Sequence, residues 1–270
     1  MDKADEKIRA DPQGEALLRL AAGEDKALLE KLRERFQRGE PAAYLAGFLV
    51  FRGRRFAMDA RAYVTDPELM LLVEAVLEEG DRLEKKLARP PHILEFGVGA
   101  GTLLLTLAHE RPHWQLSGID IDADALRLAG ENARQHQKSV RLWQSNYLEG
   151  WPTDMPPPDI LYGDPPWGNG EDLYDPERNE TYYTYMPRHS VFPPESSRTG
   201  IHDELIRQVV VRRWPTLLLL NCGILPPEEI RRSAAPLPRF RIREPRPGLR
   251  LLHGYGTPEE KPVSETQNLP

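Results

Sequence analysis

The chain has 270 residues, 40% of them hydrophobic and 29% charged, which suffices for one large α/β domain with a small appendage. Its formal net charge of −6 argues against a long basic surface for nucleic-acid backbone, although the C-terminal arginines leave room for a local one. A single cysteine, Cys222, rules out an internal disulfide framework or a cysteine zinc cluster, and it reads as a small buried residue after a strand. No run approaches the ~18 apolar residues of a membrane span. The first residues, MDKADEKIRADP, lack the apolar core of a signal peptide, so a cytoplasmic chain without a membrane partner is expected.

Leucines at helical spacing (Leu17, Leu20, Leu28, Leu29, Leu32) with Phe36 predict two short amphipathic helices that end at Gly39 and Pro41. Phe48, Val50, Phe56 and Met58 flank Arg52-Gly53-Arg54 and predict a β-hairpin. Asp66-Pro67 is read as the cap and first turn of a helix carrying Leu69, Leu72, Val73 and Val76 and ending at Gly80. From His92 onward, short apolar strands alternate with helices: HILEFG, TLLLTLAHE, WQLSGID, ADALRLAGENARQH, VRLWQS, DILYGD and TLLLLNC, with RFRIRE and GLRLLHGYG as a closing hairpin. Such alternation implies parallel pairing through right-handed crossovers. The expected fold is therefore α/β, a Rossmann-like sheet. The expected divisions are a helical region over 1–45, a hairpin linker over 46–64, the Rossmann-like domain over 65–256 and a flexible tail over 257–270.

Glu95-Phe96-Gly97-Val98-Gly99-Ala100-Gly101 lies where the first strand of that series turns into a helix. Glycines there let the backbone approach a ligand, and the helix N-terminus offers unpaired N–H groups. Asp120, at the tip of the next strand, can accept both hydroxyls of a ribose. That pairing also serves nicotinamide cofactors. Two details favour S-adenosylmethionine: Glu95 precedes the first glycine, where it can organise a methionine ammonium, and the loop lacks G-x-G-x-x-G spacing. Ile121 can pack on the adenine or in the core. Ser145 and Asn146 can bond the adenine edge or cap a turn. No metal is called for.

The strand DILYG ends in Asp164-Pro165-Pro166-Trp167, and ligands in open α/β sheets sit beyond the carboxyl ends of strands. Methyl transfer from a sulfonium is an in-line displacement, so the acceptor lone pair must be held on the S–CH₃ axis. Asp164 and the carbonyl of Pro165 can each accept an N–H of a planar nitrogen, the prolines stiffen the loop, and Trp167 offers a flat wall. The long segment 168–200 carries Tyr182, Tyr183, Tyr185, His189 and Glu195, read as a lid or substrate wall.

Together the glycine loop, Asp120 and the Asp-Pro-Pro-Trp motif resemble class I methyltransferases. Glu40-Pro41-Ala42-Ala43-Tyr44-Leu45-Ala46-Gly47 and the hairpin after it resemble the release-factor glutamine methyltransferase (HemK/PrmC) family over roughly residues 28–225. The resemblance implies N5-methylation of a release-factor glutamine, with Asp164 and Trp167 where the family carries asparagine and tyrosine. Ionised aspartate only accepts, whereas an amide also asks for a donor. The acceptor is therefore expected to be a protein glutamine or a diverged protein or small-molecule nitrogen. The alternatives are an adenine-type amino methyltransferase acting on nucleic acid and a non-catalytic cofactor-binding module. A monomer is expected, with a homodimer left open.

Overall fold

The computed structural model describes residues 11–169, 172, 180–193 and 197–257. Helices α1 (Pro12–Ala22), α2 (Lys26–Gln37) and α3 (Ala42–Ala46) come first. Asp11 and Asp25 cap α1 and α2 through their carboxylates, satisfying first-turn N–H groups that have no partner inside the helix. Leu18, Ala22, Leu32 and Ala42 form a core of their own. The Glu-Pro-Ala-Ala-Tyr segment is itself helical, and the Tyr44 hydroxyl donates to the carbonyl of Ala62 at 2.5 Å, tying the helices to the chain beyond the hairpin.

Strands β1 (Phe48–Phe51) and β2 (Arg54–Ala57) pair antiparallel around Arg52-Gly53. A 3₁₀ turn, Pro67–Leu69, leads into α4 (Met70–Leu87). Two sequence expectations are corrected here. The Asp66 side chain makes no cap bond and instead accepts the Tyr63 hydroxyl at 3.3 Å. The helix also runs through Gly80 rather than stopping there. A Cβ at Gly80 would lie 2.2 Å from the indole of Trp114, so that glycine lets a ring press on the helix backbone and breaks nothing.

The main sheet has seven strands in the order β5-β4-β3-β6-β7-β9-β8. Its members are β3 (His92–Phe96), β4 (Gln115–Asp120), β5 (Arg141–Gln144), β6 (Ile160–Gly163), β7 (Leu217–Asn221), β8 (Arg239–Arg246) and β9 (Leu249–Tyr255). β3 to β7 are parallel, and β9 and β8 close the edge antiparallel. Helices α5 (Thr102–Glu110) and α6 (Ala123–Gln135) follow β3 and β4; α7 (Glu180–Thr184), α8 (Arg188–Val191) and α9 (Gly200–Val211) lie between β6 and β7, and α10 (Pro227–Ala234) follows β7. One core lies under α4–α6 and the hairpin; a second lies under α9 and α10. Burial on both sheet faces explains why Leu217–Leu220 are uniformly apolar.

The chain leaves β3 toward β4 and β5 on one side and returns to β6 on the other. This reversal opens a crevice beyond the carboxyl ends of β3 and β6. Gly163 lets the two strands approach there, since a Cβ would sit 2.5 Å from the carbonyl oxygen of Phe96. Four of the C-terminal arginines are paired with carboxylates: Arg241 with Glu79, Arg243 with Glu78, Arg246 with Glu68 and Arg250 with Glu244. Among the described residues no helix is long and apolar enough to cross a membrane.

Candidate active site

The glycine loop turns sharply out of β3. Gly97, Gly99 and Gly101 all have left-handed backbones, with φ of 70°, 51° and 78°. The amides of Gly97 and Val98 both donate to the carbonyl of Ile119, which fastens the loop to β4. The three glycines divide the work. A Cβ on Gly97 would meet nothing within 4 Å, and one on Gly99 only Ala62 at 3.9 Å, so this backbone faces open space. At Gly101 a Cβ would press on Ala129 at 3.2 Å; that glycine seats α5 against α6.

Asp120 ends β4 with both oxygens engaged. One accepts the Gly99 amide at 2.9 Å and the other the Asp122 amide at 3.0 Å, fixing the carboxylate at the loop's edge. Burial raises its pKa above the usual carboxylate range, and these backbone bonds counter part of the rise. Ile121 is 54% exposed, so of its two expected places it takes the surface beside the crevice. Ser145 is buried, donates to the carbonyl of Tyr147 and accepts the Gly150 amide. Asn146 reaches Glu149 at 3.3 Å. Both side chains bond within their own turn.

Glu95 is buried, and its carboxyl accepts the Tyr162 hydroxyl at 2.8 Å. Burial pushes its pKa well above the ordinary range, with the charges of Asp120 and Asp164 adding to the rise. Asp164 follows β6, and burial raises it to about 7 despite a hydrogen bond from Asn221. Three desolvated carboxyls thus converge beyond the ends of the neighbouring strands β4, β3 and β6. Carboxyls crowded out of water resist ionising together, and a cation between them relieves that cost. The site therefore suits a positively charged ligand. S-adenosylmethionine carries an ammonium and a sulfonium with a ribose between, and the open loop, Asp120 and Glu95 fit those groups.

Beyond Asp164, the Trp167 ring lies against Gly223. A Cβ there would come within 2.0 Å of the indole, and Gly223 itself has φ of 48°. Gly168 donates to the carbonyl of Arg198 at 2.9 Å, and Arg198 binds Asp172 and Glu229, so the segment after the motif is tied down at both ends. Within it Tyr182 and Tyr183 are half-buried and meet edge to face at 5.3 Å. Tyr185 is exposed, and His189 pairs with Asp122 at 3.2 Å. The segment therefore lies beside the Asp120 end of the crevice. Glu195 lies outside the described residues.

Sequence reading missed three contributors. Asn221 closes β7 and bonds Asp164; the polar end of an apolar parallel strand was the available signal. Tyr162, read only as strand, reaches Glu95. Asn132, buried on α6, bonds both the amide and the carbonyl of Ala57 and also the carbonyl of Ala100. It thereby staples the hairpin to the glycine loop, and nothing in its helical context announced this.

Residues 72–175 match the family described as "Methyltransferase small domain". The release factor glutamine methyltransferase of Lactococcus lactis is 30% identical over 183 residues, covering 68% of this chain and 63% of that protein. The ribosomal protein uL3 glutamine methyltransferase of Xanthomonas campestris is 36% identical over 135 residues, covering 49% and 42% of the two chains. The chain thus spans less than two thirds of the length of these relatives. The hMettl16 catalytic domain, solved with a MAT2A 3′UTR hairpin, superposes with a TM-score of 0.56 at 15% identity over 90% of this chain and 81% of that one. That likeness is one of fold.

Proposed function

We propose, on the footing that this chain is a class I methyltransferase resembling the release factor glutamine methyltransferases, that it transfers a methyl group from S-adenosylmethionine to a planar nitrogen, the side-chain amide of a glutamine in a protein. The observation that carries this reading is the alignment of the open Gly97–Gly99 backbone, Asp120, Glu95 and Asp164 along one sheet edge. The first three would supply a cofactor cradle, and the last an acceptor for an N–H.

In this reading Asp120 takes the ribose hydroxyls and Glu95 the ammonium. When bound, the cofactor supplies an electrophilic methyl group on a sulfonium. Asp164 and the carbonyl of Pro165 hold the two N–H bonds of the acceptor, which points its lone pair at that carbon. With the cofactor bound, an N–C bond would form as the S–C bond breaks and its electron pair stays on sulfur, and Asp164 would take the proton that the nitrogen sheds. Asp164 and Glu95 also place negative polarity beside a nitrogen that becomes cationic in the transition state. Pro165 and Pro166 keep the acceptors aimed, and Trp167 walls the planar group. The relatives are methyltransferases of a glutamine in a release factor and in a ribosomal protein, which favours a protein of the translation apparatus as substrate. We expect the enzyme to be an intracellular monomer.

Calorimetry tests the cofactor half. S-adenosylmethionine should bind, and Asp120→Ala should weaken it by about 10- to 100-fold, the worth of one hydrogen bond to a charged group. Unchanged affinity in that variant would remove Asp120 from the site.

A further inference from the structure

We propose that Asn221 is the positioning residue of the acceptor site, holding one oxygen of Asp164 so that the other is presented, ionised, to the substrate N–H. The substrate named here rests on the nitrogen-methylation reading above; the Asn221–Asp164 couple itself stands on the geometry.

Asn221 Nδ2 donates to Asp164 Oδ1 at 2.7 Å. The orientation of that amide is fixed from its other end, because Asn221 Oδ1 accepts the Gly223 amide at 3.0 Å. An amide flip would aim Nδ2 at the Gly223 N–H and Oδ1 at the carboxylate, losing both bonds, so the donor must face Asp164. The backbone is pinned as well: the carbonyl of Asn221 accepts Nε2–H of the buried His202 at 2.8 Å. Gly223 in turn lies flat under Trp167. One residue therefore links the base, the aromatic wall and the end of β7. With Oδ1 occupied by Asn221, Oδ2 is the carboxylate oxygen left to meet an incoming N–H.

The bond has an electrostatic consequence. Among the described residues, the charges that act on Asp164 oppose its ionisation: Asp66 and Glu68 ahead of α4, and Glu95 on β3. Cys222, beside it after β7, is a neutral thiol pushed up to about 12 by burial. His202 on α9, behind Asn221, is kept neutral by burial. Among the described residues, the hydrogen bond from Asn221 is what favours the carboxylate over the acid.

The test needs neither substrate nor turnover. In protein labelled with ¹³C at aspartate carboxyls, the Asp164 resonance, assigned by its loss in Asp164→Asn, is titrated in wild type and in Asn221→Ala. Loss of a hydrogen bond to a charged group should raise the midpoint by about one to two pH units. An unchanged midpoint in a folded variant would overturn the proposal. Should Asn221→Ala fail to fold, the wild type alone decides. One asparagine side-chain amide pair should move with pH at the Asp164 midpoint, and the absence of any such pair would overturn the proposal equally. Because the free protein is observed, a failure to methylate glutamine would count against the proposed function and leave this result readable.

Discussion

The two halves of the crevice are built on different principles. On the side proposed for the cofactor the groups are close in sequence: Glu95, Gly97, Gly99 and Asp120 fall within 26 residues, and their bonds run from loop to adjacent strand. On the acceptor side Asp164 depends on Asn221, Trp167 on Gly223, and the segment after the motif on Arg198 and Glu229. A cradle for a constant ligand can be encoded locally. An acceptor pocket is assembled across distant segments, so its substrate preference can drift without disturbing the cradle.

Separability of the halves is the first thing to break. Asp164→Ala should lower turnover by about 10²–10³-fold, the usual loss when a polar group aimed at the reacting centre is removed, while leaving cofactor affinity within a few-fold. A parallel fall in affinity, read by calorimetry, would show the two halves to be one unit.

The acceptor half should also be the more sensitive to its glycine. Gly223→Ala puts a methyl into the Trp167 ring on a left-handed backbone, and overpacking of that kind costs about 1–3 kcal/mol. Gly97→Ala meets open space and pays only the left-handed strain of about 1 kcal/mol. Denaturant melts of the two variants give the order directly, and a reversed order would contradict the packing described for Trp167.

Protonation is where the halves behave alike. Burial raises Glu95, Asp120 and Asp164 in the free protein. A raised acid binds its proton more tightly folded than unfolded, so these groups lower stability as pH climbs from the normal carboxylate range through their folded values. A cationic ligand selects their ionised forms. Its affinity should therefore rise with pH, by about tenfold for each proton released per pH unit, and binding should release protons into the buffer. Affinity flat from pH 5 to 8 would mean that the carboxyls are already ionised.

The smallest effect is expected at the segment bearing α7 and α8. His189 is half exposed and pairs with the partly buried Asp122, a surface contact worth under about 1 kcal/mol. His189→Ala should therefore alter cofactor affinity less than fivefold; a larger loss would make this segment part of the cradle.

How far the sequence could be read follows the same division. Strand alternation made the α/β sheet legible because burial on both faces leaves apolar runs such as Leu217–Leu220. The glycine loop and Asp120 were legible because the chemistry is contiguous. Gly80 misled, since a glycine that admits Trp114 looks in sequence like one that ends a helix. Asn221 left only the signal of a polar residue ending an apolar strand and Asn132 left none, because their partners lie 57 and 75 residues away respectively, and no local pattern records such a distance.

The central claim is methyl transfer to a glutamine nitrogen. It is tested most directly by incubating the protein with methyl-labelled S-adenosylmethionine and a ribosome and release-factor fraction, then hydrolysing the products and identifying the labelled amino acid. The account predicts label in N5-methylglutamine, formed about 10²–10³-fold more slowly by Asp164→Ala. Label in a nucleoside or a free small-molecule amine, with none in glutamine, would contradict it.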